Sequence, residues 1–144
     1  MIEIQQATAR HAPEIAQLLT QLGYPTAPEV IPGRLADLEA DGGTAVVARD
    51  GGGGVVGLAA AAEYATLHAG GRSAYITALV TSETARGQGV GRALVEAMEE
   101  WARGRGCVRL SVTSAERRTD AHAFYPKCGL PYTGRRFSKT LPTN

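Results

Sequence analysis

Residues 77–102, TALVTSETARGQGVGRALVEAMEEWA, decide the reading of this chain. Thr77 to Thr81 close an apolar, β-branched run that opens at Ser73, which is the composition of a strand. From Val90 onward, Leu94, Val95, Met98, Trp101 and Ala102 recur at helical spacing as far as Gly104 or Gly106. Between strand and helix lies Arg86-Gly87-Gln88-Gly89-Val90-Gly91-Arg92. Glycine lets a backbone turn tightly and come close to a ligand. The free N–H groups at a helix start, with the helix dipole, attract anions. Arg86 and Arg92 add positive charge at the same place, so the expected ligand is a phosphate or pyrophosphate.

Three phosphate-binding patterns compete for this loop. A Walker loop requires Gly-Lys-Ser/Thr, which is absent. A dinucleotide fingerprint requires Gly-x-Gly-x-x-Gly early in a βαβ unit. Here the glycines are spaced Gly-x-Gly-x-Gly at 87, 89 and 91, past the middle of the chain and after a hairpin. The third pattern, Arg/Gln-x-x-Gly-x-Gly/Ala, is met by Arg86, Gly89 and Gly91. In this strand–loop–helix setting the chain resembles the GNAT superfamily of acetyl-CoA-dependent N-acyltransferases. Residues 121–130, AHAFYPKCGL, resemble the late helix signature of the same family, with its aromatic pair about 30 residues after the loop.

The order of elements on either side agrees. Ile2 and Ile4 alternate with polar neighbours as a short edge strand, and Ile15, Leu18, Leu19 and Leu22 make one stripe of a helix stopped by Gly23. Pro25, Pro28 and Pro32 mark residues 24–33 as a loop or broken helix, and Leu35 and Leu38 a short helix ended by Asp41-Gly42-Gly43. Thr44–Arg49 and Val55–Tyr64 read as two strands joined by Asp50-Gly51-Gly52-Gly53-Gly54. No helix pattern comes after those glycines, so they form a turn and not a phosphate loop. Val108, Leu110 and Val112 alternate as a strand, Ala121, Phe124 and Tyr125 lie on a short helix closed by Gly129, and Tyr132 to Leu141 is expected to pair as a final strand. The fold class is α+β. The resemblance implies a GNAT fold: a mixed, mostly antiparallel sheet of six to seven strands, helices on both faces, and a splay between the fourth and fifth strands. No linker or repeat interrupts the chain, and residues 1–144 are expected to form a single N-acetyltransferase domain.

The resemblance also implies roles. Backbone groups of Leu79, Val80 and Thr81, freed where the strand splays from Val108–Thr113, would bond the pantetheine arm as an added strand does. Arg86, Gly87, Gln88, Gly89, Val90, Gly91 and Arg92 would hold the pyrophosphate of acetyl-CoA. A backbone N–H near Val80 would polarise the acetyl carbonyl. Tyr125 would protonate the departing thiolate as the catalytic acid. Taken without the motif, Tyr125 reads as a core aromatic beside Phe124. Two departures stand out: Arg118 where the family often has Asn, and Pro126 where Glu is common after the tyrosine. The base that deprotonates the amine stays open among Glu63, Tyr75, Glu116 and a water chain. His11, His68 and His122 lack metal-ligand spacing, so no metal is expected. Cys128 reads as a small packed thiol, since direct transfer needs no nucleophile.

Composition bounds the rest. With 144 residues, 44% hydrophobic and 20% charged, the chain is of ordinary globular make-up and large enough to bury a core without disulfides. No apolar run approaches the length of a membrane span, and the first residues, MIEIQQ, carry no secretory signal. Cys107 and Cys128 are then expected to be reduced, and a cytoplasmic location is expected with them. Residues 1–72 hold four Arg/Lys and eight Asp/Glu, a charge of −4; residues 73–144 hold eleven and six, a charge of +5. The overall +1 and the scarcity of Lys argue against a nucleic-acid partner. The expected acceptor is a primary amine of a small molecule. The alternatives are a protein N-terminus or lysine, and a catalytically silent CoA-binding module. Acceptor specificity is expected in loops 24–35 and 64–72, and a two-fold homodimer is the default assembly.

Overall fold

The computed structural model describes residues 1–113 and 119–143. The chain divides into two compact units, Met1–Val112 and Thr113–Asn144. The first contains β1 (Glu3–Gln6), α1 (Ala12–Leu22), α2 (Ile31–Ala40), β2 (Thr44–Arg49), β3 (Val55–Tyr64), β4 (Arg72–Thr81), α3 (Val90–Gly104) and β5 (Cys107–Val112). Its sheet has the order β1-β2-β3-β4-β5, antiparallel throughout except for the parallel pair β4–β5.

Strand and helix ranges arise from local chemistry. The Asp50–Gly54 hairpin holds because Asp50 Oδ1 accepts the N–H groups of Gly52 and Gly54, both at 3.0 Å. Gly23 stops α1 at φ 112°, with the N–H of Tyr24 reaching back to the Leu19 carbonyl at 2.9 Å. α2 begins earlier than the prolines of residues 24–33 imply. Pro32 occupies its first turn, where a missing N–H removes no helical hydrogen bond, so this proline starts a helix and does not break one.

Side chains alternate across β2 and β3 and so feed two cores. Ala45, Val47, Leu58 and Ala60 pack with Ile15, Leu18 and Ile31 of α1 and α2. Val46, Ala48, Ala59 and Ala61 pack with Val90, Leu94 and Met98 of α3. Helices therefore cover both faces of the sheet. Burying a Val, Leu, Ile or Met side chain stabilises the fold by about 1.5–3 kcal/mol.

The second unit contains α4 (Thr119–Lys127). Gly129 ends it at φ 88°, with the N–H of Leu130 on the Tyr125 carbonyl at 3.0 Å and the N–H of Gly129 on the Pro126 carbonyl at 3.1 Å. This is a Schellman cap, and Pro126 fits inside the last turn of the helix. Residues 130–143 carry neither helix nor strand. The final strand expected over Tyr132–Leu141 is therefore absent among the described residues, and the sheet has five strands where six to seven were expected. Pro131, Gly134 and Pro142 interrupt that segment, and only Phe137 to Leu141 alternates, which is a weak strand signal.

Candidate functional site

The site grows from the end of β4. Its parallel pairing with β5 covers Arg72↔Cys107 to Ile76↔Val112, the last residue of β5. β4 continues to Thr81 with β3 as its partner, through Ala78↔Ala60, Leu79↔Ala59, Val80↔Leu58 and Thr81↔Gly57. No strand among the described residues pairs with Thr77–Thr81 on the β5 side. The pairing skips Thr77, because Ala60 faces Ala78 while Ala61 faces Ile76. A β-bulge of this kind bends its strand and re-aims the residues beyond it. The bulge sits just before Leu79, Val80 and Thr81, beside which the splay is expected, and no sequence pattern marks it; residues 114–118, which follow β5, lie outside the described residues. An unpaired strand edge offers alternate N–H and C=O groups to any extended ligand with amides of its own.

The chain leaves β4 through a firmly held turn. The Ser82 N–H donates to the Val56 carbonyl at 2.8 Å, the Ala85 N–H to the Ser82 carbonyl at 3.0 Å, and Ala85 is buried against the α3 core. The Glu83 N–H donates to Gln21 Oε1 of α1 at 3.3 Å, a tie between residues that no motif connects. Gly87 and Gly89 then take φ values of 82° and 83°, and Gly89 is the N-cap of α3. A Cβ on either glycine would meet no atom within 4 Å. Positive φ demands glycine here, and the space beside both backbones is open.

The start of α3 has the character of an anion site. Gly89 offers no side chain to cap it, and the first turn holds no acidic residue. The N–H groups of Val90 and Gly91, in the first turn, have no partner within the helix. Arg86 and Arg92 flank them, and the first makes no ion pair among the described residues. Fifteen helical residues align their peptide dipoles toward this end. Open backbone at Gly87 and Gly89, the N–H groups of a helix start and flanking guanidiniums occur together, with no carboxylate in the first turn, a set suited to a pyrophosphate.

The candidate bases fare differently. Glu63 lies opposite Ala74, six residues along β3 from the Gly57↔Thr81 pair, or roughly 20 Å from the site end of the strand. Its carboxylate accepts from Arg105, with Nε at 3.1 Å, and pairs with Arg72 at 3.3 Å, while the Cys107 thiol lies 3.8 Å away. The Arg105 hydrogen bond, followed by the Arg72 partner, holds Glu63 below the usual carboxylate range, against the opposing effect of burial. Glu63 is thus committed to two guanidiniums at the far end of β3, which argues against it among the candidate bases. Burial, and then the Glu63 carboxylate, push the Cys107 thiol up. Tyr75 sits in the paired half of β4, opposite Ala62 and Ser111. Glu116 and Arg118 lie outside the described residues.

In the second unit, Tyr125 is 8% exposed and meets Phe124 edge-on, with ring centroids 5.5 Å apart. His11 is buried with its Nδ1 accepting the Thr8 N–H at 3.0 Å, which is a structural role. Among the described residues no three His, Cys, Asp or Glu side chains are grouped to hold a metal, and no helix is long and apolar enough to cross a membrane.

β4 thus leads through a glycine-lined turn into a helix start with no acidic residue in its first turn. The sequence profile of the acetyltransferase (GNAT) family matches residues 12–130. The chain belongs to that family, and its class of activity is acyl-CoA-dependent N-acetyl transfer. The fold is shared with glucosamine-6-phosphate N-acetyltransferase from Arabidopsis thaliana, at 19% identity, 99% of each chain covered and TM-score 0.85. It is shared with aminoglycoside 6′-N-acetyltransferase from Acinetobacter baumannii, at 16% identity, 100% of each chain and TM-score 0.82. Ribosomal-protein-alanine N-acetyltransferase from Brucella melitensis has it too, at 19% identity, 100% of each chain and TM-score 0.78. A search of curated proteins found no match.

Proposed function

We propose that this protein moves the acetyl group of acetyl-CoA directly to a primary amine of a small molecule. The observation that carries the reading is the junction of Thr77–Thr81, which has no partner strand on the β5 side among the described residues, with a glycine-lined start of α3. Leu79, Val80 and Thr81 bond the pantetheine amides. Arg86 to Arg92 bind the pyrophosphate through Arg86, Arg92 and the backbone N–H groups of the loop. Acetyl-CoA supplies an activated thioester. A backbone N–H near Val80 bonds the carbonyl oxygen and stabilises the negative charge that grows there during attack. The Tyr125 hydroxyl gives its proton to the leaving thiolate. With Glu63 committed to two guanidiniums, the amine proton leaves through Tyr75, Glu116 or water. Residues 1–144 act as one domain, which the family match across residues 12–130 supports. A cytoplasmic setting agrees with two cysteines that are not joined in a disulfide.

Two of the three relatives named above act on amino sugars or aminoglycosides, which favours a small acceptor, while the third modifies a protein. The deciding experiment is acetyl-CoA turnover against amino-sugar phosphates, aminoglycosides, polyamines, aminophosphonates, amino acids and peptides. Saturable turnover of a small amine supports the proposal. Turnover confined to peptides overturns the acceptor class, and acetyl-CoA binding without turnover of any amine marks a binding module.

A further inference from the structure

α1 ends in two adjacent polar residues that serve different segments. The Thr20 hydroxyl donates to the Ala16 carbonyl at 2.9 Å and accepts the N–H of Thr26 at 3.3 Å, so it ties the chain that follows α1 back to the helix. The Gln21 side chain leaves the helix instead. Its Oε1 accepts the N–H of Glu83 at 3.3 Å, 62 residues away in sequence. The helix that carries Gln21 is firmly seated, because Ile15, Ala16 and Leu18 bury its other face against the sheet.

The bond falls where the chain has a donor to satisfy. Glu83 opens a single 3-10 turn, Glu83–Ala85, and the first N–H groups of such a turn have no partner inside it. Ser82, the N-cap, makes no side-chain capping bond, and its hydroxyl lies 3.1 Å from that of Thr84. Gln21 therefore supplies from α1 the cap that the turn lacks locally. The Ser82 N–H on the Val56 carbonyl and the Ala85 N–H on the Ser82 carbonyl fix the turn to β3 and to itself, and the Gln21 bond joins it to α1. Arg86 and the positive-φ Gly87 and Gly89 follow at once, so the direction in which that loop departs is set here.

We propose that Gln21 is a positioning residue for acetyl-CoA: it holds the 82–85 turn so that Arg86 to Gly91 leave it in the conformation that receives the pyrophosphate. The inference rests on the assignment of that loop to the pyrophosphate. A loop competent to bind for only part of the time binds more weakly by that fraction. One neutral hydrogen bond shifts such a balance by about three- to tenfold. Gln21 acts through the turn and not on the thioester, so its effect belongs to binding and not to the chemical step.

Two substitutions separate the hydrogen bond from plain charge. Gln21→Glu keeps the length and an acceptor oxygen and adds negative charge. Gln21→Lys keeps a long side chain, adds positive charge and cannot accept. Charge alone would make the lysine variant the tighter binder of an anionic ligand and the glutamate variant the weaker. The positioning role predicts the opposite order. In calorimetric titration with acetyl-CoA, Gln21→Lys should lose about three- to tenfold in affinity, and Gln21→Glu should stay within about twofold of the parent. With the best amine, kcat should stay within about twofold in both, the loss appearing in the KM for acetyl-CoA. Gln21 and Glu83 are exposed, so the melting temperature of the free protein should move by less than about 3 °C. A lysine variant that binds as well as the parent, or a glutamate variant that is the weaker of the two, overturns the inference. So does a loss of affinity that comes with a large fall in melting temperature, which makes the contact one of general stability. A parent chain that binds no acetyl-CoA fails earlier: the pyrophosphate assignment falls, and this inference with it.

Discussion

Gly57 of β3 lies directly beneath Val90, the first residue of α3: a Cβ at Gly57 would sit 2.7 Å from Val90 Cγ1 and 2.9 Å from Leu94 Cδ1. Gly57 also pairs with Thr81, the last residue of β4. One missing side chain thus lets the start of α3 settle on the sheet beside the end of β4. Gly57→Ala is expected to overpack this contact and destabilise the protein by about 1–3 kcal/mol. Acetyl-CoA affinity should fall with it, because the displaced groups are the donors of the helix start. Urea unfolding and calorimetric titration read the two effects, and an unchanged midpoint would show that the helix seat yields freely.

Gly89→Val separates backbone strain from ligand contact. No protein atom lies within 4 Å of the added Cβ, so there is no clash to relieve. The φ of 83° costs a branched residue about 1–2 kcal/mol. The side chain also enters the space assigned to the pyrophosphate, and acetyl-CoA affinity should drop by at least about tenfold. A folded variant with parental affinity would move the pyrophosphate elsewhere.

Acetyl-CoA itself should raise the melting temperature, since a ligand bound only by the native state stabilises it by about 2.7 kcal/mol at a hundredfold excess over Kd. Desulfo-CoA lacks the thioester but keeps the pyrophosphate, so it should retain most of the shift. No shift with either ligand at saturating concentration would contradict the assigned cradle.

Much of this layout is legible in the sequence because its boundaries are chemical and local. Thr44–Arg49 and Val55–Tyr64 can be read to the residue, since Asp50 to Gly54 admit only a turn between them. The start of α3 at Val90 is equally clear, set by the glycines before it. The features that escape a sequence reading depend on distant partners. The bulge at Thr77 exists in the β3–β4 register and leaves no mark on SAYITALVT. Glu63 looks available until the fold brings Arg72 and Arg105 to it. Residues 132–141 have a trace of alternation, but a strand needs a neighbour, and none among the described residues supplies one. Gly57 does carry a local signal, because a lone glycine inside a strand marks close approach of another element.

The Glu63 cluster predicts acid sensitivity. The carboxylate is held below its ordinary value of 4.5, first by the Arg105 hydrogen bond. The unfolded chain therefore binds the proton more readily than the native state. The cluster's contribution is present in full above pH 4.5 and is lost as pH falls through the lower native value. Glu63→Gln should lower the melting temperature at neutral pH and flatten its decline below that point. It also removes the carboxylate that helps hold the Cys107 thiol up, so alkylation of Cys107 should quicken. A parallel pH profile in the variant would show that the ion pairs add nothing to stability.

Tyr125→Phe tests the proposed acid. The substitution keeps the ring, so the edge-on contact with Phe124 at 5.5 Å and the burial at 8% exposure should survive. The turn that carries the ring is fixed by the backbone, through the Tyr125 carbonyl and the N–H groups of Cys128 and Leu130, and the change does not touch those bonds. Pro126 lies within the helix, so the residue before it remains helical and the ring is not set on an irregular turn. The loss is then confined to one hydroxyl. A phenol of pKa about 10 donates to a thiolate of pKa about 8.5 only when the two are well placed, so its removal exposes that placement. Turnover should fall by roughly 10²–10⁴, the usual span for a positioned acid. Acetyl-CoA affinity should stay within a few-fold, because the interaction belongs mainly to the transition state. The measurement is kcat with the best amine, beside acetyl-CoA affinity and a melting curve. A drop of less than about threefold in a folded variant would remove Tyr125 from the chemistry and leave water as the acid. A large loss of affinity with a modest loss of kcat would instead make the hydroxyl a cofactor contact.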